Sequence, residues 1–146
     1  LVETPAEPGS TVAVAVERPP AALDTRVVLR ADAAGQQAVD AVINGRSVPV
    51  LVDTGATTVA ISTETARRLG ISVPNSAFTV EVATANGRIR AAPVVLREVR
   101  IGEVRVRDVA ALVLPADALG TSLLGMTFLN RLRKFESAGN SMTLTQ

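Results

Sequence analysis

The residues best suited to chemistry in this sequence lie in one short segment, Val50-Leu51-Val52-Asp53-Thr54-Gly55-Ala56. Asp53 ends an apolar run and is followed by Thr54 and Gly55. A carboxylate at the end of a buried strand is costly unless hydrogen bonds or a shared proton stabilise it. The segment therefore predicts either a carboxylate held for acid–base chemistry or an ordinary turn capped by the Asp53 side chain. For the tripeptide Asp-Thr-Gly alone, the ordinary turn is the commoner outcome.

The residue types that are missing narrow the chemistry further. The chain has no Cys and no His, which removes disulfides, thiol nucleophiles, Ser-His-Asp triads and nearly all zinc sites. Ser62 and Ser122 therefore have no base to activate them. Asp108 and Asp117 are the alternative acids, but neither follows a strand and precedes Thr-Gly or Ser-Gly, so surface or turn roles are favoured. Any catalysis is therefore expected from carboxylates, hydroxyls, Lys134 or the arginines, with no cofactor and no metal.

The composition limits the class of protein. A chain of 146 residues forms one domain, and 47% hydrophobic residues supply a core. No run approaches the roughly 20 apolar residues of a membrane helix. A net charge of +1 and only 2% aromatic residues, with no Trp or Tyr, make nucleic acid an unexpected partner.

One group of basic residues alternates with Val and Ile along the chain: Arg97, Arg100, Arg105 and Arg107. Such a stripe could contact a phosphate or a lipid headgroup. Alternation with apolar residues is, however, typical of the solvated face of a strand, and that interpretation is favoured.

The N-terminal residues differ in composition from the rest. Residues 1–25 contain Pro5, Pro8, Pro19 and Pro20, which oppose both helix interior and central strand. The pattern predicts a linker or leader over 1–25, containing a short strand at Thr11–Val16 or else disordered, and one domain over 26–146.

The domain shows mainly strand patterns with hairpin turns. Asn44-Gly45, Asn86-Gly87 and Gly102-Glu103 lie between apolar stretches and predict hairpins, the first of type I′. The predicted strands are Val27–Leu29, Ala38–Ile43, Ser47–Val52, Thr57–Ile61, Phe78–Val82, Ile89–Leu96 and Asp108–Leu114, with a closing hairpin from Lys134–Glu136 and Met142–Thr145. Two short helices are predicted at Thr63–Leu69, capped by Ser62, and at Met126–Leu132. The fold class is therefore a closed all-β domain.

Two signatures in this order resemble those of retropepsin-type aspartic proteases. Val52–Ala56 resembles the active-site loop of that family, and Leu123-Leu124-Gly125-Met126, about 70 residues later, resembles its second signature. The pattern from Leu124 to Leu132, followed by Phe135-Glu136, is similar to the bacterial single-domain branch. The resemblance covers roughly residues 36–146 and implies a closed acid-protease barrel.

The resemblance also implies a role for each residue of the site. Asp53 would be the catalytic acid and base, Thr54 would form a hydrogen bond across a dimer axis, and Gly55 would permit the turn. Ala56 and Leu124 would support the loop, and Gly125 would pack behind it, where a side chain would collide. A hairpin would close over a peptide as a flap, although it lacks the Gly-rich tip of the viral enzymes. Its residues are Ala83, Thr84, Ala85, Asn86 and Gly87.

The mechanism then requires a partner. Aspartic proteases use two carboxylates around one water, and the pair shares a proton because both cannot ionise close together. This chain has one Asp-Thr-Gly, so the second carboxylate must come from another copy in a symmetric homodimer. By resemblance, Met142–Thr145 could build the interface. The monomer is expected to be inactive.

Three functions remain open at this stage. The first is a homodimeric aspartic endopeptidase that cleaves peptides or proteins, with apolar residues preferred near the scissile bond. The second is a catalytically silent module of the same fold that binds peptides or dimerises. The third is an unrelated small β-barrel that binds an apolar ligand.

The resemblance also implies a location, the periplasmic side of a bacterial inner membrane. Contact with the membrane would come only through an N-terminal anchor absent from this chain. The start at Leu1 fits a processed or trimmed piece.

Overall fold

A computed structural model describes residues 25–32, 35–84 and 87–146. The predicted strand at Thr11–Val16 and the rest of the linker up to residue 24 lie outside the described residues. Within the described ranges the chain forms ten strands and two short α-helices. In chain order these are β1 (Arg26–Arg30), β2 (Gln37–Ile43), β3 (Arg46–Val52), β4 (Val59–Ser62), α1 (Thr63–Arg68), β5 (Val80–Thr84), β6 (Gly87–Ile101), β7 (Val104–Leu114), β8 (Ser122–Leu124), α2 (Met126–Leu129), β9 (Lys134–Ala138) and β10 (Ser141–Thr145).

Six strands close into a barrel. Their order is β2-β3-β8-β4-β7-β6, and β6 returns to β2 through the pairs Val42 with Arg100 and Ile43 with Val99. β5 extends beyond the barrel because it pairs only with the first part of β6. β9, β10 and β1 form a second, three-stranded sheet. Within it, β9 and β10 are the predicted closing hairpin, and β1 pairs with β10. The predicted fold, a closed all-β barrel with two short helices, is confirmed.

The hairpin signals act through backbone conformation. Asn44 and Gly45 have φ values of 51° and 86°, as a type I′ turn requires. Asn44 also accepts a hydrogen bond from the backbone N–H of Glu98 at 3.2 Å and donates its own N–H to the Glu98 carbonyl at 2.9 Å. This turn therefore forms the β2–β3 hairpin and also fixes it against β6.

β6 and β7 are longer than the sequence patterns predict, because the buried face changes in the middle of each strand. In β6 the buried residues Leu96 and Val99 are three positions apart, and in β7 so are Val106 and Val109. Asp108, at the change in β7, has a φ of 55°. The alternation of buried and exposed residues is interrupted at these points, so the sequence pattern of each continuous strand predicts two shorter strands.

The two helices follow their caps. Ser62 Oγ accepts the backbone N–H of Thr65 at 3.1 Å and begins α1 as predicted. α2 was predicted to reach Leu132 but ends at Leu129. The chain tightens there, because the N–H of Arg131 bonds to Phe128 and that of Leu132 bonds to Leu129, both three residues back.

The core has two parts. The larger fills the barrel and includes the fully buried Phe128 and Leu129 of α2. The smaller consists of Ala60, Ala91 and Leu114, with several partly buried side chains packed against it: Val82, Ile89, Leu112, Ala118, Leu119 and Leu123. This second cluster joins the β5–β6 hairpin to the end of the barrel that carries β8 and the start of β4.

The arginine stripe lies on the outside of the β6–β7 hairpin. Arg97, Arg105 and Arg107 are exposed and Arg100 is half-buried, as the interpretation of a solvated face predicts. The Arg105 guanidinium forms an ion pair with Glu98 at 3.1 Å. None of the helices in the described part of the chain is both long and apolar enough to span a bilayer.

Candidate active site

Strand β3 places Asp53 at its end. Val48 and Val50 are 2% and 1% exposed and fix β3 in the core. Val52 is the last strand residue, and the backbone N–H of Asp53 donates to the carbonyl of Leu124 at 3.1 Å. The carboxylate is therefore attached to the end of a strand that is packed in the core, although the Asp53 residue itself is only half-buried.

The Asp53 carboxylate is held by its own loop. Oδ1 accepts the backbone N–H of Gly55 at 2.9 Å. A Cβ on Gly55 would lie 3.2 Å from this oxygen, and the φ of Gly55 is not in the left-handed region. Glycine at this position therefore favours the close approach of the carboxylate and is not required by an unusual φ. In the described residues, Oδ2 of Asp53 accepts no hydrogen bond and the side chain makes no ion pair.

The loop from Asp53 to Thr58 is supported from behind by β8 and the residues that follow it. β8 lies between β3 and β4, with Leu123 opposite Leu51 in parallel pairing and opposite Ala60 in antiparallel pairing. The backbone N–H of Met126 then donates to the carbonyl of Ala56 at 2.8 Å. The two signatures that are about 70 residues apart in sequence thus form one unit in space.

Gly125 is the closest contact in this unit. A Cβ at this position would lie 2.4 Å from the carbonyl oxygen of Thr58 and 2.7 Å from that of Ala56. Distances below 3.0 Å between such atoms do not occur without a shift of the backbone. Gly125 therefore packs directly behind the loop, and this contact leaves no room for any side chain.

The far end of the loop is held by Thr127. Its Oγ1 accepts the backbone N–H of Val59 at 3.0 Å and donates to the carbonyl of Ala110 at 2.7 Å. Thr127 lies inside the motif of the bacterial branch, but a single sequence assigns it no role. Nothing in the local pattern shows that a hydroxyl in α2 will contact β4 and β7.

The β5–β6 hairpin packs beside the loop. Ala83 pairs with Arg88 and Thr84 with Gly87, and the Thr84 hydroxyl donates to the Gly87 carbonyl at 2.7 Å. On its inner side, Val82 and Ile89 pack on the cluster that also receives Leu123. Ala85 and Asn86, the predicted tip of the flap, lie outside the described residues.

The charged groups of the hairpin lie on its other side. Arg88 and Glu81 form an ion pair at 2.8 Å, and both side chains are largely exposed. Within the described ranges no group of three or more Asp or Glu side chains is close enough to hold a metal ion.

Comparison with known proteins connects this geometry to a family. Residues 39–131, which contain both signatures and the hairpin between them, match the family described as "gag-polyprotein putative aspartyl protease". The chain belongs to this retropepsin-like family. A crystal structure of a retropepsin-like aspartic protease from Rickettsia conorii is similar to it, with a TM-score of 0.75 and 30% identity over 84% of this chain and 91% of that one.

A viral structure extends the similarity in fold. EIAV protease in complex with the inhibitor HBY-793 is similar to the retropepsin-like chain with a TM-score of 0.55 over 66% of this chain and 86% of that one. The two are 19% identical, so this likeness concerns the fold alone. The predicted family and its barrel are confirmed, and an unrelated β-barrel is no longer an alternative.

Two curated relatives are bacterial. One is a Sinorhizobium protein described as an uncharacterized protein in the cobV 5′ region, 39% identical over 118 residues, or 81% of this chain and 51% of that protein. The other is the uncharacterized protein RP867 of Rickettsia prowazekii, 32% identical over 109 residues, or 75% of this chain and 46% of that protein. The chain thus spans about half the length of the curated relatives it matches.

Proposed function

We propose that this chain is one subunit of a homodimeric aspartic endopeptidase, in which the Asp53 carboxylates of two copies activate one water. The observation that carries the proposal is the state of Asp53. Its Oδ1 is fixed by the Gly55 N–H at 2.9 Å, and its Oδ2 accepts no hydrogen bond within the described chain. A half-buried acid held in this way has one oxygen available for a water or for a second carboxylate.

The surface around Asp53 supports a two-fold arrangement. Thr54 and Gly55 are exposed in the single chain, and the Thr54 hydroxyl makes no hydrogen bond with the described residues. A two-fold axis beside this loop would bring the two Asp53 side chains together and bury both Thr54 side chains between the copies. The Thr54 hydroxyls would then have donors and acceptors from the partner within reach.

In such a pair the proton transfers balance. One carboxylate is ionised and takes a proton from the water, whose oxygen attacks the peptide carbonyl carbon. The other is protonated and donates to the carbonyl oxygen, so the tetrahedral intermediate is neutral. The C–N bond then breaks as the amide nitrogen takes the proton of the now protonated carboxyl and a hydroxyl of the intermediate gives its proton to the other carboxylate. A carboxylic acid and an amine leave, and the pair again holds one shared proton.

The substrate would be an extended peptide between the loop and the β5–β6 hairpin. An extended backbone can pair with the hairpin like an added strand. Three apolar side chains of the hairpin and of β8 pack on the same small cluster and remain partly accessible: Val82, Ile89 and Leu123. Apolar residues near the scissile bond should therefore be preferred.

A mixing experiment tests the shared site directly. Subunit exchange with about a ninefold excess of Asp53→Asn should leave about a tenth of the activity of the same amount of wild type alone, because few wild-type subunits then find a wild-type partner. The measurement is peptide cleavage at concentrations where sedimentation shows a dimer. The same excess of Asp108→Asn, which keeps Asp53, should instead add activity.

The outcomes separate the candidate functions. Activity that is unchanged by excess Asp53→Asn means that each subunit works alone, and the shared site is then wrong. A dimer of the wild type without any cleavage favours the alternative, a catalytically silent module of this fold that binds peptides or dimerises. The intact Asp53-Thr54-Gly55-Ala56 loop favours the enzyme, since a silent module does not need the acid.

The proposed pair also predicts the pH dependence of turnover. The pair is active with one proton bound and inactive with none. Turnover should therefore be greatest at acidic to near-neutral pH and fall as the pH rises and the shared proton is lost. A pH–rate profile of kcat with a fixed peptide measures this, and a maximum above about pH 9 would contradict a carboxylate pair.

The cellular location belongs to the same proposal. The bacterial branch that the chain resembles suggests the periplasmic side of the inner membrane, with an anchor outside this sequence. The two bacterial relatives are longer than the segment they share with this chain, which leaves room in them for such an element. The location of this protein stays a prediction.

A further inference from the structure

The exit of the active-site loop is held by a side-chain hydroxyl. Thr127 Oγ1 lies between two backbone groups, accepting from Val59 N at 3.0 Å and donating to Ala110 O at 2.7 Å. Val59 is the first residue of β4, where the chain returns from the loop into the barrel. Ala110 belongs to β7, the strand beside β4.

The hydroxyl stands at the end of a parallel ladder. β4 and β7 pair directly from Val59 opposite Ala111 to Ser62 opposite Leu114. The carbonyl that Thr127 reaches, that of Ala110, comes one residue before the first of these pairs. The hydroxyl therefore bridges the two strands where the active-site loop enters β4 and the ladder begins.

Three hydrogen bonds join the loop to the segment behind it. Two are between backbone groups, Asp53 N to Leu124 O at 3.1 Å and Met126 N to Ala56 O at 2.8 Å. These two bonds use backbone atoms only, so they do not depend directly on which side chains the bonded residues carry. Among the bonds between these two segments in the described chain, only the link from Val59 to Thr127 depends on a side chain.

The bridge requires an atom that accepts and donates at once, which Thr and Ser supply and Val does not. Val59 is 0% exposed, so its N–H has no access to solvent if the bridge is lost. A buried N–H without a partner is unfavourable, and the local backbone would move to find one. That movement would begin at the first residue after the loop, six residues after Asp53.

We propose that Thr127 is a positioning residue, whose hydroxyl fixes the exit of the active-site loop and thereby the direction of the Asp53 carboxylate. Its effect on catalysis rests on the proposed function, but its effect on the loop does not require turnover. Small displacements of a reacting group reduce the rate far more than they reduce binding. The loss of the hydroxyl should therefore appear in kcat rather than in KM.

The test uses Thr127→Val, which keeps the shape of the side chain, and Thr127→Ser, which keeps the hydroxyl. Amide hydrogen exchange at Val59, measured by NMR, should be about tenfold faster in the valine variant and within about threefold of wild type in the serine variant. Thr79→Val is the matched control, because Thr79 is exposed and its hydroxyl makes no bond within the described chain. It should leave the exchange at Val59 unchanged.

The second readout is peptide cleavage. Thr127→Val should lower kcat about tenfold with KM within about twofold, and Thr127→Ser should restore kcat. The proposal is overturned if the Val59 amide of the valine variant exchanges as slowly as that of the wild type, or if the kcat of this variant equals that of the wild type. If the valine variant does not fold, Thr127→Ala replaces it under the same criteria. Wild type without cleavage contradicts the proposed function instead, and exchange at Val59 then decides the role of Thr127 alone.

Discussion

Replacing Asp53 with Asn removes the acid from both copies of the homodimer, so it should lower kcat for peptide cleavage by at least about 10²–10⁴-fold, the usual contribution of one positioned acid or base. The amide is close in shape to the carboxylate and still offers an oxygen to the Gly55 N–H, which now donates to Oδ1 at 2.9 Å. It cannot take a proton from water. The fold and the dimer should therefore remain while the chemistry is lost.

The measurement must separate chemistry from structure. Sedimentation and thermal unfolding of Asp53→Asn should match the wild type, while cleavage of the same peptide disappears. Asp108→Asn and Asp117→Asn make the same change of charge at exposed acids and should keep full activity. Cleavage that survives Asp53→Asn would sink the proposed mechanism. Cleavage that is lost in Asp108→Asn or Asp117→Asn would move the acid elsewhere.

The local part of the fold could be predicted from the sequence because it depends on near neighbours. Asn44-Gly45 tolerates positive φ at both positions, and the structure has 51° and 86° there. Ser62 is three residues before the N–H that it caps. The pairing of the Asp53 loop with Leu124 and Gly125 is different. It joins residues about 70 positions apart, and only the resemblance to a family predicted it.

The remaining features depend on distant contacts that no local pattern carries. The buried face of β6 changes between Leu96 and Val99, just before β6 begins to pair with β2. The sequence alone shows that the apolar and polar residues stop alternating there, but it does not show that one strand continues with its other face buried. Gly55 is close to a carboxylate oxygen, and the Thr127 hydroxyl bonds to one N–H of β4 and one carbonyl of β7. The roles of these residues can be recognised only when the contacts between distant parts of the chain are known.

Gly125→Ala should be the most destabilising single-methyl change in the chain that concerns the site. The added Cβ would lie 2.4 Å from the Thr58 carbonyl oxygen and 2.7 Å from that of Ala56. Both are backbone atoms of the active-site loop, so no side-chain rotation relieves the contact. We expect the free energy of unfolding to fall by at least about 3 kcal/mol, at the upper end for overpacking, out of a total of about 5–15 kcal/mol for a domain.

Gly120→Ala is the matched control, since a Cβ on Gly120 meets nothing within 4 Å and its φ is not left-handed. It should be neutral or stabilise by up to about 1 kcal/mol. Urea unfolding of both variants gives the comparison, and equal stabilities within about 0.5 kcal/mol would contradict the contact behind the loop. Because the alanine at 125 must push Ala56 and Thr58 outward, any folded fraction should also lose turnover. That loss would show that Asp53 requires the Gly125 contact behind its loop as well as a second carboxylate in front of it.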